Sequence, residues 1–236
     1  MSAKTRVLIT GGSRGVGRAT ALRLARGGAA VAVLARSRDD LDATVRAVTE
    51  AGGTAVAVAA DVGDVARVRS AVEEAIAALG GLDGLVLNAG IGVHGPVETY
   101  PIEDWQEAIA TMLTGSFLVT QAALPALKAA GDARIVAVGS GAAYAGYANL
   151  SSYCAAKWGL RGFLLALAEE VKADGIRCCY LSPGSILTAF GGRTIAEKQA
   201  QPDKAFLQPE DVADAIAYLL AQPAHVWTQE MNLWPA

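Results

Sequence analysis

Tyr153 and Lys157 stand four residues apart, and of the six tyrosines only Tyr153 has a lysine at that spacing. In a helix the interval puts both side chains on one face. A tyrosine phenol has a pKa of about 10, too high for easy proton exchange near neutrality. A nearby ammonium favours phenolate and is expected to lower it. The pair then suits proton traffic at an oxygen, as general acid when a carbonyl is reduced and general base when an alcohol is oxidised. Ser140 could donate a hydrogen bond to the same oxygen and hold it in place. A Tyr/Lys pair alone occurs by chance on many helices, so its meaning rests on what surrounds it.

The surroundings begin with a glycine turn. An apolar run, Val7 to Thr10, passes straight into Gly11-Gly12-Ser13-Arg14-Gly15-Val16-Gly17 and then a helical stretch. Glycines allow a tight turn and let the backbone approach a pyrophosphate, which the free N–H groups of a helix N-terminus stabilise. The spacing is G-x3-G-x-G rather than G-x-G-x-x-G, and an ordinary glycine-rich βα loop is the plain alternative. The second strand ends Val33-Leu34-Ala35-Arg36-Ser37-Arg38, with no acid before Asp39. An acid there would bond a ribose 2′-hydroxyl, whereas arginine accommodates a 2′-phosphate. Arg14 and Arg36, with Arg38 assisting, therefore favour NADP(H), since a planar guanidinium binds phosphate well. Solvated loop arginines are the competing account.

The elements that must position these groups alternate along the whole chain. Strand-like runs fall at Val7 to Thr10, Ala30 to Ala35, Thr54 to Ala59, Gly84 to Asn88, Arg134 to Gly139, Ile176 to Leu181 and Glu230 to Leu233. Helix-like stretches lie between them, and Pro209-Glu210-Asp211 opens the last with proline and two acids in its first turn. Alternating units of this kind predict an α/β fold: a doubly wound, Rossmann-type parallel sheet of about seven strands with helices on both faces. No linker or repeat divides residues 1–236, so one domain is expected, with 185–208 as a substrate lid. Ligands bind beyond the C-terminal strand ends in such sheets. Gly11, Asn88, Ser140 and Pro183 should therefore share one crevice.

Composition narrows the class. Hydrophobic residues make up 53% and charged residues 18%, with 20 basic and 23 acidic side chains for a net charge of −3. The apolar surplus suits a sheet covered on both faces. No basic stripe points to nucleic acid. Cys154, Cys178 and Cys179 form neither a disulfide framework nor a zinc spacing, so no metal is expected. No apolar run suggests a signal peptide or a membrane span, and a cytoplasmic protein is expected.

Together these motifs resemble the short-chain dehydrogenase/reductase family over nearly the full length. Its T-G-x3-G-x-G corresponds to Thr10–Gly17, its adenine-side D-V to Asp61-Val62, and its N-A-G to Asn88-Ala89-Gly90. Its serine, thirteen residues before the tyrosine, is Ser140; Y-x3-K is Tyr153 and Lys157; P-G-x-I-x-T is Pro183 to Thr188. The resemblance implies a homodimer or homotetramer and a small carbonyl substrate, a 3-oxoacyl thioester among the candidates. It also implies that Lys157 bonds the nicotinamide ribose, and that Ile186 and Thr188 hold the carboxamide. One position departs from the pattern. Many members carry N-x-x-G-x-F, whose Asn supports a water behind the Lys, and Met112 stands there in Met112-Leu113-Thr114-Gly115-Ser116-Phe117. A core-facing methionine is the plain account.

Weaker features complete the reading. His94 is expected at a pocket wall, and His225 has no visible partner. The helix from about Ser152 to Lys172 is apolar on more than one face, which suggests a partner subunit; the tail Trp227 to Trp234 could join another interface. Val93, Tyr144, Tyr147, Leu187 and Phe190 are candidate pocket walls, favouring an uncharged or mostly apolar carbonyl. Arg193, Lys198 and Lys204 could meet an acyl-carrier or coenzyme A phosphate, or could simply be solvated. A catalytically silent NADP(H)-binding redox sensor is the alternative from another functional class.

Overall fold

A computed structural model describes residues 5–201 and 204–236. Pro202 and Asp203, inside the expected lid, lie outside the described residues, as do Met1 to Lys4 at the N-terminus. The strands are β1 (Arg6–Thr10), β2 (Ala30–Ala35), β3 (Thr54–Ala59), β4 (Gly84–Leu87), β5 (Ala133–Val138), β6 (Ile176–Pro183) and β7 (Glu230–Leu233). They form one seven-stranded sheet in the order β3-β2-β1-β4-β5-β6-β7, and every pairing is parallel. The predicted boundaries differ by at most two residues.

The helices are α1 (Gly15–Arg26), α2 (Arg38–Glu50), α3 (Val68–Leu79), α4 (Ile102–Ile109), α5 (Gly115–Ala130), α6 (Ser151–Val171), α7 (Ile195–Gln199) and α8 (Pro209–Leu220). Alternation along each strand sends successive side chains to opposite faces. Val7 and Ile9 of β1 join the core under α1, α2 and α8, whereas Leu8 joins the core under α3, α5 and α6. Both layers are apolar, which explains why the strands read as continuous hydrophobic runs.

Between α4 and α5 the chain does not break. A π-helical turn, Ala110–Thr114, joins them into one helical run, Ile102–Ala130. By length and composition this run could cross a bilayer, which amends the expectation that no segment would. Here its Val119, Ala123 and Leu127 are fully buried in the core beside α3 and α6. The π-turn closes on a side chain, for Ser116 Oγ donates to the Met112 carbonyl at 2.8 Å.

Candidate active site

The C-terminal ends of β1, β2, β4, β5 and β6 open on one cleft of about 1020 Å³. Every residue singled out above as a catalytic or cofactor candidate borders it except Gly17 and Arg38. Gly17 acts beneath the surface, since a Cβ there would lie 2.2 Å from the Gly11 carbonyl oxygen. Gly11 itself adopts a φ of 66° and donates its N–H to the Leu34 carbonyl at 2.7 Å. Only glycine occupies that conformation without strain.

The start of α1 lacks the side-chain caps that α2, α7 and α8 carry, a trait it shares with α6. Ser37 caps α2 through the Asp40 N–H, and Thr194 with Glu197 forms a capping box on α7. Helix α1 has no side-chain cap and no acid in its first turn. Its leading N–H groups therefore face the cleft without a competing acceptor from its own side chains, the arrangement that suits a phosphate. Asn88 braces this turn, its amide donating to the Thr10 carbonyl at 2.9 Å and the Gly11 carbonyl at 3.2 Å.

Where β2 opens on the cleft, Arg36 Nη1 lies 3.1 Å from Glu107 Oε1 and 3.8 Å from Asp61 Oδ2, with the guanidinium more than half exposed. Asp61 also accepts the Gly63 N–H at 2.8 Å. Arg38 does not assist Arg36: it pairs with Asp42 one helical turn on, at 3.0 Å, and is not among the residues bordering the cleft.

Lys157 is buried, and its Nζ donates to the Val138 carbonyl at 2.8 Å. It sits 5.7 Å from the centroid of the Tyr153 ring. Burial disfavours the charged ammonium and brings its pKa down to about 8. Tyr153 departs from expectation. Its phenol is held above the ordinary value, because withdrawal from water outweighs the hydrogen bond with Ser140 that favours phenolate. Four-residue spacing conveys proximity to a lysine but not this desolvation.

Behind Tyr153 lies an apolar cluster. Met112 is 1% exposed and packs with Ala108 and Ala156 against Ile91, Ile109 and Tyr153. The core-facing reading of Met112 is the one the structure supports.

Tyr180 was not legible as part of the site. It is fully buried under Ser140 and Lys157, accepting the Ser140 N–H and donating to the Lys157 carbonyl, both at 3.3 Å. Trp234 was also missed as a cleft residue: it borders the cleft, while Trp227 donates its indole N–H to the Cys178 carbonyl at 2.8 Å. Of the expected pocket walls, Tyr147, Leu187 and Phe190 line the cleft and Val93 and Tyr144 do not. Tyr144 turns toward β7, donating to Glu230 at 3.2 Å with the Arg161 guanidinium 4.6 Å over its ring. His94, Arg193, Lys198 and Lys204 border the cleft, whereas His225 does not. Lys198 donates to the Phe190 carbonyl at 3.1 Å.

A family profile described as short chain dehydrogenase matches residues 5–199. A 3-oxoacyl-(acyl-carrier-protein) reductase of Synechocystis sp. is 36% identical, over 92% of this chain and 89% of its own. A Xanthobacter autotrophicus protein named inactive 2-(S)-hydroxypropyl-CoM dehydrogenase 2 is 35% identical, over 84% of this chain and 90% of its own. Among solved structures, an alcohol dehydrogenase from Thermococcus sibiricus complexed with 5-hydroxy-NADP superposes with a TM-score of 0.88. It is 30% identical, with 98% of this chain and 96% of that one covered.

Proposed function

The chain belongs to the short-chain dehydrogenase/reductase family, and from that premise we propose that it is an NADP(H)-dependent oxidoreductase interconverting a mostly apolar ketone and its secondary alcohol. The observation that carries this reading is convergence: Ser140, Tyr153 and Lys157 border the same cleft as the glycine turn and the uncapped start of α1. Arg14 and Arg36 at the adenine end, with no acid between Ala35 and Asp39 to select NAD, support the phosphate-bearing cofactor.

The residues present fit that cofactor. Gly11, Gly15 and the α1 amides would take the pyrophosphate, and Pro183, Gly184, Ile186 and Thr188 would border the nicotinamide. When bound, NADPH supplies the hydride that is placed on the carbonyl carbon. Ser140 then donates to the substrate oxygen as negative charge develops on it, and Tyr153 delivers the proton. In the alcohol direction Tyr153 as phenolate removes the hydroxyl proton. Lys157, tied to Val138, holds a positive charge beside the phenol while it remains protonated. Desolvation keeps Tyr153 in its acid form, which suits reduction.

The segment 185–208 is read as a substrate lid. Its base is anchored, for Leu187 N–H donates to Leu207 at 2.8 Å and Leu207 N–H to Ser185 at 2.9 Å. The reading includes homodimer or homotetramer assembly through α5 and α6, where Phe117 and Trp158 are about half exposed. The sensor reading keeps one observation in its favour, the buried methionine that packs against Tyr153.

Tyr153→Phe separates the two. Positioned acid–base groups are worth roughly 10²–10⁴ in rate, so loss of turnover of that size with retained NADPH binding is expected across a panel of ketones. A wild-type protein that binds NADPH tightly yet reduces nothing in the panel would instead favour the sensor.

A further inference from the structure

The parallel pairing of β6 with β7 sets Pro183 opposite Leu233, and the Gly184 N–H donates to the Leu233 carbonyl at 2.7 Å. The next residue, Trp234, is thereby placed beside Gly184. Its indole lies along two glycine backbones at once. A Cβ on Gly184 would be 2.9 Å from Trp234 Cε3, and one on Gly141 would be 2.8 Å from Trp234 Cη2. Both positions adjoin groups of the proposed chemistry, since Gly141 follows Ser140 and Gly184 follows Pro183. Any side chain at either glycine would displace the ring.

Despite this seating, Trp234 is 58% exposed, and it borders the cleft. A large apolar ring left open at a proposed reaction centre has unspent burial to offer a ligand. Tyr147 extends the same wall, its hydroxyl 3.6 Å from the Cβ position of Gly141, and is also about half exposed. Phe190 also lines the cleft, its ring centroid 5.9 Å from that of Tyr153.

We propose that Trp234 forms a substrate subsite that receives a flat or ring-shaped apolar body, so that the substrates are alicyclic or aromatic ketones rather than linear 3-oxoacyl thioesters. The proposal rests on the oxidoreductase reading for its chemistry, but the subsite itself is a matter of binding. An indole face favours rings, which keep a large contact area at little cost in conformational freedom, whereas a flexible acyl chain must be ordered to use it.

Calorimetry on the NADP⁺-loaded protein tests the subsite without turnover, using 1-tetralone as the ring ketone and acetoacetyl-CoA as the linear one. Tetralone is expected to bind the wild type more tightly than acetoacetyl-CoA. Trp234→Ala should weaken tetralone at least about tenfold, the size of a well-buried aromatic contact, and Trp234→Phe should recover most of the loss. A Trp234→Ala protein that is folded by circular dichroism and binds tetralone within twofold of wild type overturns the proposal, as does tighter binding of the linear thioester. NADPH oxidation with the same ketones is read separately. Trp234-dependent tetralone binding without turnover would leave the subsite standing and defeat the oxidoreductase reading. Turnover with a Trp234→Ala loss equal for ring and linear ketones would do the reverse.

Discussion

The ring of Tyr180 fills the space that a side chain on Gly139 would need: a Cβ at Gly139 would lie 2.1 Å from Tyr180 Cζ and 2.4 Å from its hydroxyl oxygen. The two residues are therefore a matched pair directly beneath Ser140. Gly139→Ala is expected to lower the melting temperature, with a cost of about 1–3 kcal/mol for overpacking, and to lower kcat by moving Ser140. Tyr180→Phe keeps the ring and loses only the bridging hydroxyl, so both effects should be smaller, about 0.5–1.5 kcal/mol for a neutral hydrogen bond. Thermal melts and steady-state rates check this. An unaltered melting temperature in Gly139→Ala would contradict the packing.

Arg36 is shared between Glu107 and Asp61 at the adenine end. Its removal should cost NADPH on the order of 1.5–3 kcal/mol of binding, the value of a charge-assisted contact, and leave NADH nearly untouched. Glu107→Gln should act in the opposite sense, because a carboxylate competes with the 2′-phosphate for the guanidinium. Fluorescence titrations with both cofactors decide the matter. Equal losses for NADPH and NADH in Arg36→Ala would show that the 2′-phosphate is read elsewhere.

Burial of Lys157 carries a sign that can be measured. Its pKa falls from 10.5 to about 8 on folding. Between those values the unfolded chain binds the extra proton, so Lys157 makes the fold more stable as pH rises from about 8 to 10.5, and the burial cost is fully present below 8. Lys157→Met should abolish turnover yet raise unfolding free energy at pH 7, by on the order of 3 kcal/mol less the lost bond to Val138. That advantage should shrink as pH approaches 10. Denaturant melts of both proteins at pH 7 and pH 9.5 give the comparison; a constant difference would mean that the ammonium is not shifted.

The apolar packing at Met112 bears on proton supply. Met112→Asn should raise kcat where chemistry limits the rate, by allowing a water behind Lys157, with little change in NADPH affinity. An unpartnered buried amide costs about 1–3 kcal/mol, so stability must be followed in the same samples. A folded variant with unchanged or lower kcat would show that this chain does not depend on such a water.

The sheet was legible because its strands are buried on both faces and announce themselves as short β-branched runs. The site was legible for a related reason: residues at the ends of β1, β4, β5 and β6 must meet at one edge of a parallel sheet, whatever the helices do. What stayed hidden depends on pairings that sequence separation conceals. Trp234 reaches the cleft only through the register of β6 with β7. Glu107 meets Arg36 from 71 residues away. Tyr144 has the composition of a pocket wall, but an acid on β7 draws it outward. The raised phenol of Tyr153 reflects how much water its surroundings exclude, a quantity that spacing does not encode.

The order of the strands has a kinetic side. β1 lies mid-sheet between β2 and β4, while β7 occupies an edge and can pair only once β6 is in place. The glycine turn therefore belongs to contacts that form among the earlier parts of the chain. The Trp234 wall waits for β6 to be seated, because only the register of β7 on β6 places it. During refolding, the ability to hold a dinucleotide should return ahead of the ability to discriminate among ketones. A chain stalled short of β7 would carry the cofactor pocket and lack the indole wall beside it.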